Sequence, residues 1–263
     1  MSVFVRPRRV TDPVVRLVVV HHAGGSAAAY HPLTRHLPKD WELLLLDLPG
    51  RGKRHTEAPL EDMAALAAST ADAVAPWATG PPLALFGHSL GALVAAEAAR
   101  RLEERGPAPV WVGVSGRPAP GTRGGGAELH PAMPDDRLMS GLRAMGGIPA
   151  RIDEVPGFRD RFLRLVRADL RALVSYRPAP GRRRLAAPMT AMSATSDPLA
   201  PLAELGAWAR ETTGELRRRV FPGGHFHFLD DAFARLGDVL VEEIRHVVGS
   251  TSPTRASRPR AVV

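Results

Sequence analysis

The stretch Gly87-His88-Ser89-Leu90-Gly91 constrains this chain more than any other. An apolar run, Leu83 to Phe86, leads into it, and a helical pattern begins at Leu90. G-x-S-x-G between a strand and a helix marks a turn so tight that only glycine is tolerated two residues on either side of the serine. Such a turn lifts the serine hydroxyl off the end of a strand. It also aims the next backbone N–H at whatever the hydroxyl attacks.

The surroundings of that turn alternate. Val14 to Val20 is a β-branched run that reads as a buried strand, and it ends in the loop His21-His22-Ala23-Gly24-Gly25-Ser26. A short helix is expected near Ala28 to Leu37, then a second buried strand from Trp41 to Leu46. Met63, Leu66, Thr70, Val74 and Trp77 recur at steps of three and four, which predicts a helix over Asp62 to Trp77. The serine strand and its helix, Leu90 to Glu104, come next, followed by a strand from Pro109 to Val114. Strands alternating with helices predict an α/β fold with a mostly parallel sheet covered on both faces. In such sheets the working groups collect at the carboxyl ends of the strands, where His22, Ser89 and Ser115 fall.

From Gly116 to Arg184 the alternation breaks. A Gly/Pro-rich loop, Pro118 to Gly126, leads into helical patterns over Asp135 to Met145 and Pro156 to Tyr176. An insertion of this length on the catalytic edge is expected to be a lid, and Met133, Met139 and Met145 suit a surface that meets varied apolar groups. Alternation resumes with a strand from Pro188 to Ala194, a helix from Leu199 to Thr212, a strand from Arg217 to Phe221 and a helix from Asp230 to Val247. The expected organisation is one domain over 1–248, with 116–184 as the lid insertion and 249–263 as a disordered tail.

Composition removes several alternatives. With 263 residues, 44% of them hydrophobic, the chain can fill one sizeable core. The absence of Cys excludes disulfides, thiolate metal sites and a cysteine nucleophile. The first residues carry no apolar h-region and no run approaches the ~20 apolar residues of a membrane span, so a cytoplasmic location is expected. A net charge of +8 raises nucleic-acid binding, but the charge is nearly all scattered arginine and aromatic residues are only 5%, too few for base stacking. No nucleic-acid or membrane partner is expected, and a monomer is the favoured state.

A serine hydroxyl needs an adjacent base to act as a nucleophile, and the base needs a carboxylate to fix its tautomer. With this kind of turn the chain order is Ser, then Asp or Glu, then His. Asp197 follows the first strand after the insertion and His225 follows the last strand, so Ser89, Asp197 and His225 are the expected catalytic residues. His227 is the rival base, His88 reads as shaping the turn, and no carboxylate or cysteine cluster accompanies His225 and His227 to make a metal pair. An acyl-transfer oxyanion needs two donors, and the backbone N–H groups of Ala23 and Leu90 are placed to supply them. Asp169 falls on the apolar side of its helix with Phe162, Leu165 and Val166, where a carboxylate requires a partner. It is expected to cap or pair within the lid, with a second active-site acid as the alternative.

His22-Ala23-Gly24-Gly25-Ser26, Leu48-Pro49-Gly50-Arg51-Gly52, Gly87-His88-Ser89-Leu90-Gly91-Ala92, Arg167-Ala168-Asp169 with Tyr176, and Gly223-Gly224-His225-Phe226 occur in this order. Together they make the chain resemble a type II thioesterase of polyketide and nonribosomal peptide assembly lines, from about Val18 to about Phe228. The resemblance implies an α/β-hydrolase fold with a helical lid. It also implies hydrolysis of acyl thioesters on the phosphopantetheine arm of an acyl or peptidyl carrier protein, removing aberrant acyl groups without a cofactor. Ser89, Asp197 and His225 match the family's triad, and Ala23 and Leu90 its oxyanion hole. The chain departs from the pattern at His21, where the family usually has proline, and at His227, which interrupts an aromatic pair. The alternatives are a generic carboxylesterase or lipase and a non-catalytic binding module. If the partner is an acidic carrier, Arg161, Arg164, Arg167 and Arg171, which share about a third of one helix's circumference, are the expected steering stripe.

Overall fold

A computed structural model describes residues 3–122, 129–149, 152–229 and 232–251. Its centre is a seven-stranded sheet of order β1-β3-β2-β4-β5-β6-β7. The strands are β1 (Phe4–Val5), β2 (Val15–Val20), β3 (Trp41–Leu46), β4 (Leu83–His88), β5 (Trp111–Ser115), β6 (Met189–Ala194) and β7 (Leu216–Phe221). All neighbours pair in parallel except β1, a two-residue strand the sequence reading did not contain, which runs antiparallel to β3. The all-buried runs of β3, β4, β5 and β6 are what a sheet covered on both faces requires.

Helices α1 (Met63–Val74) and α2 (Leu90–Arg105) pack on one face of the sheet, and α5 (Phe233–Thr251) on the other. Asp62 caps α1 by accepting from Ala65 N–H at 2.8 Å. Pro76 sits in the 3₁₀ turn Ala75–Trp77 that ends the expected helix early. Two other expected helices also form as 3₁₀ turns. Ala27–His36 contains Pro32, which removes a backbone donor, and Leu202–Arg210 contains Gly206, a poor helix former.

The register lines up the carboxyl ends. Val20 pairs with Gly87, His88 with Ser115, Ser115 with Met192, and Ala194 with Phe221. The loops after five strands therefore open along one edge.

Helices α3 (Asp135–Met145) and α4 (Phe158–Ser175) lie between β5 and β6, within the expected insertion. They share a core of their own, in which Leu138, Met139 and Leu142 pack with Phe162, Val166 and Leu170. Beyond α4, Tyr176 donates its hydroxyl to Glu97 of α2 at 2.7 Å, and Arg182 reaches the Tyr176 oxygen at 2.6 Å. Residues 123–126 of the Gly/Pro-rich loop lie outside the described residues, as do 127–128, Asp230 and 252–263 of the expected tail. Residues 249–251 continue α5 instead of opening that tail.

Candidate active site

The serine turn follows from its glycines. Ser89 takes φ 57° and ψ −116°, the only positive φ at a non-glycine residue among those described. A Cβ on Gly87 would stand 1.9 Å from the Gly91 carbonyl oxygen, and one on Gly91 would stand 2.2 Å from that of Val20. The start of α2 is thus pressed against the end of β2, which brings the loop after β2 beside Ser89. Strain of this kind, of order 1–3 kcal/mol, persists only where the surroundings over-determine it. Here Ser89 N–H is held by the Ser115 carbonyl at 2.8 Å, and Ala92 N–H by that of Ser89 at 3.1 Å. Leu90 opens α2, so its N–H belongs to the unsatisfied first turn, at the positive end of the helix dipole.

The loops after β6 and β7 are zipped together. Thr195 N–H donates to the Phe221 carbonyl and Ser196 N–H to that of Gly223, each at 2.9 Å. This brings the His225 Nδ1 to 3.0 Å from both carboxylate oxygens of Asp197. Asp197 also accepts from the backbone N–H groups of Leu199 at 2.9 Å and Ala200 at 3.3 Å. Burial raises its pKa, but the bond and charge of His225 and these two amides outweigh burial and hold the carboxyl below the usual range. Ser89 and His225 line one small cavity of about 50 Å³, walled by Leu142, Met145, Val166, Leu170 and Phe226, with Ala23 at its edge. Of the residues expected from the sequence, Asp197 bonds to His225, and His225 lines a cavity with Ser89; His227 is not among that cavity's lining residues.

His227 belongs to a different arrangement. Ser115 Oγ lies 3.0 Å from His88 Nδ1 and 3.2 Å from His227 Nε2, so one strand-end serine ties the two rings together. His88 Nε2 and His227 Nδ1 are buried with no hydrogen-bond partner among the described residues. The His88 ring lies 4.7 Å from that of His225, so it buttresses the catalytic candidate as well as the turn. Burial, and then the crowding of His225, His227 and His22 around any proton it would take up, push the His88 pKa well below 6.5. Burial takes His227 down to about 4, Asp197 opposing the shift and His225 adding to it. His22, 3.2 Å from the Tyr30 hydroxyl through Nδ1, is lowered to about 3 by burial, then by His225 and Arg51. His21 is lowered well below 6.5 by burial and by Arg51. Its Nε2 accepts from Leu48 N–H at 3.3 Å, which leaves Nδ1 to donate to the His22 carbonyl at 2.8 Å.

Asp169 departs from expectation. It does not pair within the insertion; Arg51, in the loop after β3, grips it with two hydrogen bonds of 2.6 and 3.0 Å. Its Oδ2 also accepts from Gly24 N–H at 2.8 Å. Both side chains are buried, and removing one partner from such a pair costs about 3–5 kcal/mol. The sequence flagged the need for a partner but held no signal that Arg51 was the one. The arginine stripe is also reduced. Arg167 bonds to Asp135 and to the carbonyls of Pro131 and Met133, and Arg171 pairs with Glu61 at 2.5 Å. Arg161 and Arg164 remain at a groove shared with Glu57 and Glu61. Among the described residues no group of His, Asp and Glu is arranged to hold a metal, and no helix is long and apolar enough to cross a membrane.

A family profile described as "Thioesterase domain" matches residues 15–242. The "Probable cadicidin biosynthesis thioesterase" of Streptomyces griseus is 37% identical over 212 residues, 81% of this chain and 58% of that protein. The chain thus spans little more than half the length of that relative. The structure of RedJ, a thioesterase from the prodiginine pathway of Streptomyces coelicolor, is 38% identical with a TM-score of 0.79, covering 88% of this chain and 86% of RedJ. BorB, the type II thioesterase of the borrelidin biosynthetic cluster, is 33% identical with a TM-score of 0.80, covering 93% of this chain and 97% of BorB. The parallel sheet, the serine turn and these likenesses agree: the chain has the α/β-hydrolase fold and belongs to the thioesterase family, among the type II thioesterases.

Proposed function

We propose that this protein hydrolyses acyl thioesters carried on the phosphopantetheine arm of a carrier protein, and so clears aberrant acyl groups from an assembly line. The observation that carries this reading is that Ser89 and His225 line one apolar-walled cavity, with Asp197 bonded to His225 Nδ1.

The chemistry follows from the tautomer. With the proton on Nδ1 directed at Asp197, the His225 Nε2 is left as a base. It takes the Ser89 proton as the hydroxyl attacks the thioester carbonyl. The oxyanion that forms is met by the N–H of Leu90 and that of Ala23, donors whose individual loss costs about 3–4 kcal/mol in comparable sites. The tetrahedral intermediate expels a thiolate, a good leaving group with an ordinary pKa of about 8.5, which takes the proton back from His225. Water, activated by the same ring, then attacks the Ser89 ester and releases the acid. The apolar wall from α3 and α4, acting as a lid, accepts the acyl chain.

The test compares kcat/KM for one acyl group presented on a carrier protein, on coenzyme A and as a simple oxygen ester, with Ser89→Ala as the control. The carrier-bound thioester is expected to be the best substrate, and the control to abolish turnover and labelling by a serine-reactive phosphonate. Preference for the oxygen ester would make the protein a generic carboxylesterase. A phosphonate label away from Ser89 would end the proposal.

A further inference from the structure

The loop that carries Ala23 is tethered from two directions. From the sheet side, Gly25 N–H bonds to the His22 carbonyl at 3.0 Å, His22 meets Tyr30, and Ala27 N–H donates to Asp47 at 2.9 Å. From the insertion, α4 supplies Asp169 to the N–H of Gly24, the residue immediately after Ala23. Gly24 holds φ +72°, and a Cβ there would lie 2.5 Å from Val166 and 2.8 Å from Phe162, both on α4. The helix therefore holds Gly24 by a hydrogen bond and by close packing against its Cα. Arg51 fixes both oxygens of the carboxylate, so the acceptor is presented in one orientation.

We propose that Asp169 is a positioning residue for acyl transfer: through Gly24 N–H it holds the Ala23 N–H in line with that of Leu90, and so makes the seating of α4 a condition of turnover. This rests on the assignment of Ala23 to the oxyanion hole. The peptide plane between Ala23 and Gly24 is fixed at its N–H end by a group from another part of the chain. The Ala23 N–H lies in the preceding plane, whose carbonyl end, on His22, accepts from Gly25 N–H at 3.0 Å and His21 Nδ1 at 2.8 Å, so Asp169 acts on the donor through the Ala23 dihedrals: without the Gly24 anchor the segment just after Ala23 can turn and tilt the donor off its target. The seated helix then does two things at once: it walls the acyl cavity and completes the oxyanion site. A thioester that prevents α4 from seating meets a site with one good donor instead of two.

The test uses the full chain and a small acyl thioester of N-acetylcysteamine, which needs no carrier docking. In the Arg51→Met/Asp169→Leu double variant, apolar side chains replace the ion pair, so no buried charge is stranded, and Gly24 N–H loses its acceptor. Melting curves set an assay temperature at which every variant is folded. The double variant is expected to lose about 100-fold in kcat and in the rate of phosphonate attachment at Ser89, with KM within about threefold of the parent. Asp169→Asn, which keeps an oxygen for Gly24, loses less. If the double variant does not fold, Arg51→Lys carries the test: one donor group replaces the fork, and kcat falls at constant KM. A folded double variant, or Arg51→Lys, with parental kcat and phosphonate rate overturns the proposal, as does a loss confined to KM. A parent protein that neither turns over the thioester nor labels at Ser89 instead overturns the assignment of the site.

Discussion

Acid should unfold this protein well before its carboxylates are protonated. His21, His22, His88 and His227 are buried, and the pKa of each is pushed below the ordinary 6.5, to about 3 for His22 and about 4 for His227. Each is therefore neutral in the folded chain at pH values where the unfolded chain has already bound a proton. Unfolding takes up protons between pH 6.5 and about 4, so stability falls as pH falls through that window. At pH 5.5 an unfolded histidine is mostly charged, and each neutral folded partner then forfeits roughly 1 kcal/mol relative to pH 7.5. For His22 and His227, lowered to about 3 and about 4, the loss is about 2–3 kcal/mol, and His21 and His88, also lowered, add to it, against the roughly 5–15 kcal/mol that holds an ordinary domain together. The depressed carboxyl of Asp197 adds to the loss only below its ordinary 3.8. Urea unfolding followed by tryptophan fluorescence, with Trp111 and Trp208 both buried, reads the effect directly. The free energy should drop steeply between pH 7.5 and 5.5, and His227→Phe should return roughly 1 kcal/mol of the difference. A total change below about 2 kcal/mol would refute the reasoning, because it would mean the rings accept protons without unfolding.

Two further outcomes follow from the site. Asp197→Asn places an amide beside His225 Nδ1, where it favours the wrong tautomer; melting should stay near the parent value while kcat falls by about 10⁴. Activity within a few-fold of the parent would move the acid's role to another residue. Reversing Arg161 and Arg164 to Glu should lower kcat/KM for a carrier-bound thioester by about tenfold at low salt and less at high salt. Equal losses on a small thioester would show that these arginines support the fold.

The elements that could be read in advance are those whose cause is local. The spacing of Gly87 and Gly91 names the serine turn because the clash each Cβ would make is with backbone a few residues away or with the adjoining strand. Strands β2, β3 and β4 are apolar runs that nothing else explains. What escaped depends on distant partners. Phe4 and Val5 are a strand only because β3 offers them Leu46 and Leu45. The periodicity of 28–37 and 199–212 suits a helix, yet one proline and one glycine tighten these segments into 3₁₀ turns. Arg51 and Asp169 are 118 residues apart and give no common signal. The tie from His88 through Ser115 to His227 likewise joins the ends of β4 and β5 to the loop after β7.

Besides the exposed Arg171–Glu61 pair and the packing of Phe162 and Val166 on Gly24, two less exposed polar mounts hold α4 and the residue that follows it. One mount is the Arg51 fork on Asp169; the other, about 10 Å further along the axis, is Tyr176 on Glu97 of α2. A rod fixed at one point can swing, whereas one fixed at two can only roll or bend. Any widening of the cavity that keeps both mounts falls to its remaining walls, Leu142 and Met145 of α3 and Phe226 after β7. Arg143–Asp153, Arg159–Asp136 and Arg167–Asp135 are ion pairs of α3, and the first two lie between exposed side chains, where salt weakens them. The cavity is then a box with one panel, α3, hung on exposed charges, while the panel made by α4 is bolted to the loop after β3 and to α2.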